Sequence, residues 1–371
     1  MPTRSIYFLL VIILGVLPLG AEGADTMAAP PHPLVGAIRW DAWHGTQGAP
    51  GQAVQRALGP TKYYGRLPFF AVVHGEDNVS IDGTAQGVMD REIDYAANAG
   101  LDYWAFVTYD ENDAMSLGLK RYLSSAKRKK MHFCLLTEVD RWNNPASVER
   151  ITRLMQEPGY QTVLQNRPLL YLGFFDNADF ARQWGTVQAF RAVLDTLRAT
   201  LHTKGLGDPY IVILDFSATQ AAKWAEELGA DAISSYATPF DLGKATPYLE
   251  LAKADVRFWD ACRATGSAVV PIVTTGWDRR PRIERPVPWE TWQQPGAGVE
   301  KYVEAATPQE LAAHLQEALT WMAQYPTTAP ARISLIYAWN ENDEGGWIVP
   351  TLRDGSARLD AIKIMLQAYR Q

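Results

Sequence analysis

Chemistry is densest near the C-terminal end, in the run Tyr337-Ala-Trp-Asn-Glu-Asn-Asp-Glu-Gly-Gly-Trp347. Glu341, Asp343 and Glu344 place three acids within four residues, beside Gly345 and Gly346. Unpaired buried carboxylates are costly. Crowded like charges raise one pKa over another, leaving one group an acid and its neighbour a base. Cleavage of a glycosidic bond needs that division of labour. The bland alternatives are an exposed acidic loop or an N-terminal cap for the last helix. Further candidates are scattered along the chain. They are Trp40, Asp41, Trp43 and His44; Tyr109 and Asp110; Glu138, Asp140 and Trp142; Asp215; Tyr236; Trp277, Asp278 and Arg279; and Trp339, Asn340 and Trp347. Carboxylates and indoles dominate the set. Acids act on the glycosidic oxygen, and aromatic faces hold sugar rings.

Several of these residues have two readings. His44 is a substrate ligand or proton carrier, or else a packed loop residue; His74 closes the same pocket or caps a loop strand. Neither pairs with spaced histidines or cysteines, so no zinc site is expected. Asp110-Glu-Asn-Asp113 lacks the EF-hand spacing and reads as a solvated loop. In Trp277-Asp-Arg-Arg-Pro-Arg282, the arginines either bind a carboxylate or sulfate on a sugar or pair with loop acids. Trp289 and Trp292 lie on a long insertion, Ile283 to Ala306, which reads as a lid wall. No nucleophile elbow and no Walker loop is present. No metal and no cofactor is expected.

The elements that must position these residues alternate. Short apolar runs bounded by turn residues predict eight strands: Leu34 to Trp40, Leu101 to Thr108, Met131 to Thr137, Pro168 to Gly173, Tyr210 to Phe216, Ala232 to Tyr236, Ala268 to Thr274 and Ile333 to Trp339. Helical patterns follow each, at Thr84 to Ala99, Ser116 to Lys130, Pro145 to Glu157, Ala178 to Thr203, Thr219 to Leu228, Tyr248 to Thr265, Pro308 to Tyr325 and Ser356 to Tyr369. Strand–helix alternation implies a parallel sheet, and eight units close an α/β (β/α)8 barrel with extended βα loops. The rival, a doubly wound open sheet, usually shows a Gly-rich phosphate turn after its first strand. Here that position reads Arg39-Trp-Asp-Ala-Trp-His44. No internal repeat or central linker divides the chain, so one barrel domain is expected over residues 33–371. The candidate residues then fall at strand C-terminal ends, where barrels carry their sites.

Composition narrows the classes further. The 371 residues are 47% hydrophobic and 20% charged, which excludes a disordered or fibrous chain. Net charge is −6 and no basic run extends beyond Lys127 to Lys130, so nucleic acid is not an expected partner. Core packing absorbs many of the 13 Trp and 16 Tyr, but sugar rings also stack on such faces. Two cysteines exclude a disulfide scaffold. Cys134 and Cys262 read as buried thiols rather than a pair. Asn78-Val-Ser80 is a weak glycosylation acceptor. Arg4 followed by an uncharged apolar run, Ile6 to Leu19, and small residues at Ala21 and Gly23 predict a signal peptide over residues 1–23. A proline-bearing linker, 24–32, follows. The protein is expected to be secreted or periplasmic, with no stable membrane insertion after cleavage.

The stretch Trp339-Asn-Glu-x-x-Glu-Gly345 resembles the signature of the glycoside hydrolase family 99 superfamily, which includes endo-α-mannosidases, endo-α-mannanases and WbsX-like proteins. Softer similarities run from Val35 to His44, from Met89 to Phe106 and from Val270 to Asp278. The resemblance implies a (β/α)8 barrel and a metal-free retaining hydrolysis of an α-linked polysaccharide or glycan. It implies that Glu344 is the general acid and then the base. Glu341 then assists attack of the sugar 2-hydroxyl through a 1,2-anhydro intermediate. Asn342 stands where those hydrolases typically carry an aromatic residue, and Asp343 adds a third acid. Two further readings are a WbsX-like glycosyltransferase and a non-catalytic glycan-binding barrel.

Overall fold

The computed structural model describes residues 32–45, 48–238, 240, 243–291 and 293–371. The expected signal peptide, residues 24–31 of the expected linker and Trp292 lie outside them.

Eight strand positions are parallel and in sequence order around a barrel. They are β1 (Leu34–Arg39), β2 (Tyr103–Val107), β3 (His132–Glu138), β4 (Arg167–Gly173), β5 (Tyr210–Leu214), β6 (Ala232–Ser234), β7 (Ala268–Val269 and Ile272–Thr274) and β8 (Ile333–Tyr337). β8 pairs with β1 in parallel register, Leu34 opposite Ile333 and Ala37 opposite Ile336. The first half of β7 pairs with β6 and the second half with β8. Val270 N and Pro271 O bridge the break, bonding to Ile233 O (3.0 Å) and Leu335 N (3.0 Å). Pro271 has no N–H to give, so the interruption falls where the ladder must do without a donor. The sheet thereby closes, as the alternation of the sequence predicts.

The strand interiors are largely apolar because both faces are covered. Gly36 on β1 is required by packing: a Cβ there would lie 2.1 Å from Cζ of Tyr103. The barrel helices are α2 (Gln86–Asn98), α3 (Leu117–Ser124), α4 (Pro145–Leu154), α6 (Val187–Thr203), α7 (Ala218–Leu228), α8 (Tyr248–Ala264), α10 (Pro308–Gln324) and α11 (Ala357–Tyr369). Thr307 and Glu310 form a capping box on α10, with Pro308 in its first turn.

Four features depart from the sequence reading. The expected helix 178–203 is broken at Gly185 (φ +67°) into α5 (Asn177–Trp184) and α6, with Thr186 capping the second. The expected helix 116–130 ends at Ser124. The β1-to-α2 connection carries α1 (Ala49–Leu58) and a small hairpin of Val72–Gly75 against Asn78–Ser80. The β7-to-α10 connection carries a short helix, α9 (Arg280–Glu284).

Candidate active site

Just past β8 the chain turns back on itself. Asn340–Glu341 pairs antiparallel with Gly346–Trp347, and the turn between them carries Asn342 to Gly345. Gly345 has φ +87°, and a Cβ there would lie 2.4 Å from Asp278 N. That approach lets Asp278 N donate to Glu344 O at 2.6 Å. The acidic hairpin is thus fastened to the β7 loop at the C-terminal mouth, where barrel enzymes carry their chemistry.

The three acids of the hairpin are buried rather than exposed, at 3% for Glu341, 1% for Asp343 and 8% for Glu344. Arg282, from α9, lies among them. Its Nε donates to Asp343 Oδ2 (2.7 Å), Nη2 to Glu341 Oε2 (3.3 Å), and Nη1 to Glu290 Oε1 (3.0 Å) and to Glu344 Oε1. Arg279 pairs with Glu290 and comes within 3.6 Å of Glu344 Oε1. Each reacting carboxylate also has its own tyrosine. Tyr236 donates to Glu341 Oε1 (2.7 Å) and Tyr337 to Glu344 Oε2 (2.5 Å). Trp40 and Trp289 form an edge-to-face pair 5.5 Å apart, each 5.4 Å from the Arg282 guanidinium. Trp40 Nε1 donates to the Tyr109 hydroxyl (2.7 Å), and Trp277 leans on Tyr337 at 5.6 Å.

Four carboxylates, Glu341, Asp343, Glu344 and Glu290, therefore face two guanidiniums. The excess negative charge has a definite effect. Burial, and then the charge of Glu344, push the Glu341 carboxyl well above its ordinary value, with Arg282 opposing. Burial works against the Arg282 charge, but Asp343, Glu344 and Glu341 outweigh it and hold its pKa high. Two neighbouring carboxylates on a shared arginine, one of them pushed to keep its proton, can do acid–base work on a single bond.

The structure brings Glu341, Glu344, Tyr236, Trp40, Tyr109, Trp277 and Arg279 together around this hairpin. The other candidates hold the hairpin or the surrounding loops in place, or lie apart from it. Asp41 is buried in a row with Arg39 and Glu92, the Arg39 Nε bond to it being 2.7 Å. Trp339 faces α2, donating to Glu92 (2.8 Å) and packing on Trp104. Trp43 packs on Phe70, and His44 is buried, with a backbone bridge to Asp82. Asn340 clamps the Trp40 backbone at 2.9 and 2.7 Å. Asp278 holds Arg66 and Arg280, whose charges keep it below the ordinary carboxylate range against the cost of burial. Trp347 lies under Arg358 at 4.0 Å. Glu138 pairs with Arg141 (2.6 Å), and exposed Asp110 accepts from Ser147 (2.8 Å). All three arginines of 279–282 are paired with loop acids, one of the two readings open from sequence. Glu290 had no sequence signal beyond lying in the insertion opposite that basic run. Among the described residues, no group of three or more His, Cys, Asp or Glu is arranged to hold a metal ion.

No family model matches the chain, and no curated protein is similar to it at a significant level. Solved structures are similar. The family 99 endo-α-mannosidase from Bacteroides thetaiotaomicron superposes with a TM-score of 0.52 at 13% identity, over 92% of this chain and 98% of that one. The same enzyme in complex with bis-tris-propane gives 0.53, with the same identity and coverage. The chain thus shares the glycoside hydrolase-like barrel fold of that enzyme.

Proposed function

We propose that the chain is a secreted glycoside hydrolase that cleaves an α-linked polysaccharide or glycan with net retention. The observation that carries the reading is the pairing of Glu341 and Glu344 on one buried hairpin at the barrel mouth, each held by its own tyrosine and both by Arg282. In this reading Glu344 protonates the leaving oxygen and then activates water. Glu341 accepts the proton of the sugar 2-hydroxyl as that oxygen attacks the anomeric carbon. Tyr236 and Tyr337 keep the two carboxylates in fixed orientations, which is how a site holds reacting groups in attack geometry. The fold likeness makes α-mannan the first polysaccharide to try.

The test is reducing-sugar release from a panel of α- and β-linked polysaccharides by the wild-type protein and by Glu344→Gln. Release from an α-linked member, falling by about 10²–10⁴-fold in the variant, supports the assignment. A variant with near wild-type rate sinks it. One observation favours a second reading, a glycan-binding barrel without turnover: Arg282 sits on both glutamates beneath Trp40 and Trp289. Glycan binding by wild type with no release from any member, and unchanged affinity in Glu344→Gln, would support that alternative.

A further inference from the structure

Beside the hairpin, the loops after β3 and β4 and helix α5 line an open cavity of about 240 Å³. Its walls include Glu138, Asp140, Phe174, Phe175, Asp176 and Phe180. Phe174 is unusual twice over. Its side chain is a large apolar group left 47% exposed, and its backbone lies in the left-handed region at φ +62°. Bulky non-glycine residues seldom adopt that conformation, and such strain collects where a side chain must be presented. The ring lies 5.2 Å from Tyr236, which donates to Glu341 at 2.7 Å. The cavity is therefore one aromatic contact away from a reacting carboxylate.

We infer that this cavity is a further sugar-binding subsite, with Phe174 as its stacking platform, taking a neutral pyranose unit of the chain whose bond lies at Glu341 and Glu344. The inference rests on the hydrolase reading and adds a substrate class to it. A volume below the roughly 300–1,000 Å³ of drug-sized pockets suits one ring rather than a long segment. An exposed aromatic face takes the apolar face of a pyranose. Besides the Gln183 amide, the polar wall is made of carboxylates, which accept and, when ionised, donate nothing. Their partners must be donors, and sugar hydroxyls are donors. Glu138 is already paired with Arg141 and Asp179 with Arg182, and no Lys, Arg or His lines the cavity among the described residues. A uronate, sulfate or phosphate there would meet carboxylates at the wall, since the neighbouring Arg141 and Arg182 are already paired with Glu138 and Asp179. The arginines that might have taken an acidic sugar at 279–282 are occupied by Glu290, Asp278, Asp343, Glu341 and Glu344.

The experiment is calorimetric titration of the full chain carrying Glu344→Gln, so that binding is read without turnover. The probes are α-1,6-mannotetraose, maltotetraose, chitotetraose and tetragalacturonate. Binding of at least one uncharged tetraose is expected, weakened about tenfold when Phe174→Ala is added and retained with Phe174→Trp. Thermal melts confirm that both variants fold. Tetragalacturonate as the preferred ligand, no binding of any uncharged tetraose, or the same affinity in Phe174→Ala each overturn the subsite. Reducing-sugar release separates this failure from failure of the hydrolase reading. Release with an unchanged KM in Phe174→Ala removes the subsite and keeps the hydrolase. Binding that needs Phe174, without release by wild type, does the reverse.

Discussion

At the residue scale, Glu341 and Glu344 share Arg282 but differ in what else surrounds them. Glu344 also faces Arg279 at 3.6 Å, whereas Glu341 has Tyr236 and a deeper position. Burial and the charge of Glu344 make Glu341 the carboxyl that keeps its proton beyond the ordinary range. If Glu341 takes the 2-hydroxyl proton, it must first be ionised. The step also needs Glu344 protonated, so the active pair carries one proton; kcat/KM should therefore fall as pH climbs through the raised value at which that last proton leaves, and this alkaline limb should lie above the 4.5 of an ordinary glutamate. A kcat/KM profile with no alkaline limb would contradict the shared proton of Glu341 and Glu344. The same shift acts on stability. A carboxyl raised in the folded state contributes its stability below its unfolded pKa and loses it as pH climbs through the folded one. Glu341→Gln, which cannot ionise, should accordingly gain thermal stability over wild type as pH rises. Arg282 makes the opposite point. Removing it by Arg282→Met strips Asp343 and Glu341 of their guanidinium, while Glu290 and Glu344 keep Arg279, and breaking one buried pair already costs about 3–5 kcal/mol. Denaturant unfolding of that variant should show a loss of at least this order.

At the element scale, the weak point is β7, whose two short halves flank Pro271. Side chains from α8 compensate. Tyr248 donates to Thr274 O (2.7 Å), Trp259 to Ile272 O (2.8 Å), and Thr274 N donates to Asp255 Oδ2 (2.6 Å). The same oxygen meets His314 Nε2 of α10 at 2.7 Å, and Glu317 faces the other ring nitrogen at 3.3 Å. His314 also lies flat on Trp259. Burial opposes its charge, but Asp255 and Glu317 prevail and raise its pKa from 6.5 to about 9. The stabilisation is complete below 6.5 and is lost as pH rises through about 9. Its upper limit is roughly 3 kcal/mol. Melting should show wild type losing more Tm between pH 6 and pH 9.5 than His314→Gln; equal losses would remove His314 from the clamp. The elements themselves were readable because both-face burial makes each strand an apolar run and each helix a periodic one. Unreadable was the face each strand-end residue takes. Successive side chains alternate. Arg39 and Asp41 therefore lie on the Glu92 side and Trp40 between them on the Arg282 side; Trp339 also meets Glu92, and the start of the hairpin after it turns Glu341 to Arg282. The insertion after β7 hid more, since nothing local in its sequence says that Arg282 and Glu290 fold back onto residues about 50–60 positions later.

At the scale of the whole molecule, stability comes from one continuous apolar core between sheet and helices, with no covalent staple. Both cysteines lie within that core, Cys134 on β3 and Cys262 on α8, and both are free. Burial pushes the Cys134 thiol far up and the Cys262 thiol up to about 12. The thiolate is the reactive form, so depth and protonation protect both in the native state. Core close-packing leaves a reagent no path to them short of unfolding. Titration with an aromatic disulfide reagent should therefore find no reactive thiol in the native protein and both of its 2 cysteines in guanidinium. Because nothing is cross-linked, a reductant should leave the Tm unchanged. A native thiol that reacts at the rate of a free cysteine would mean that the wall between β3 and its helices opens on the time scale of the assay. The same opening would disturb Glu138 at the end of β3, and with it the cavity beside Tyr236. Thiol protection and retention of glycan affinity should thus fail together under mild denaturant if the barrel unfolds as a unit, and separately if its mouth loosens first.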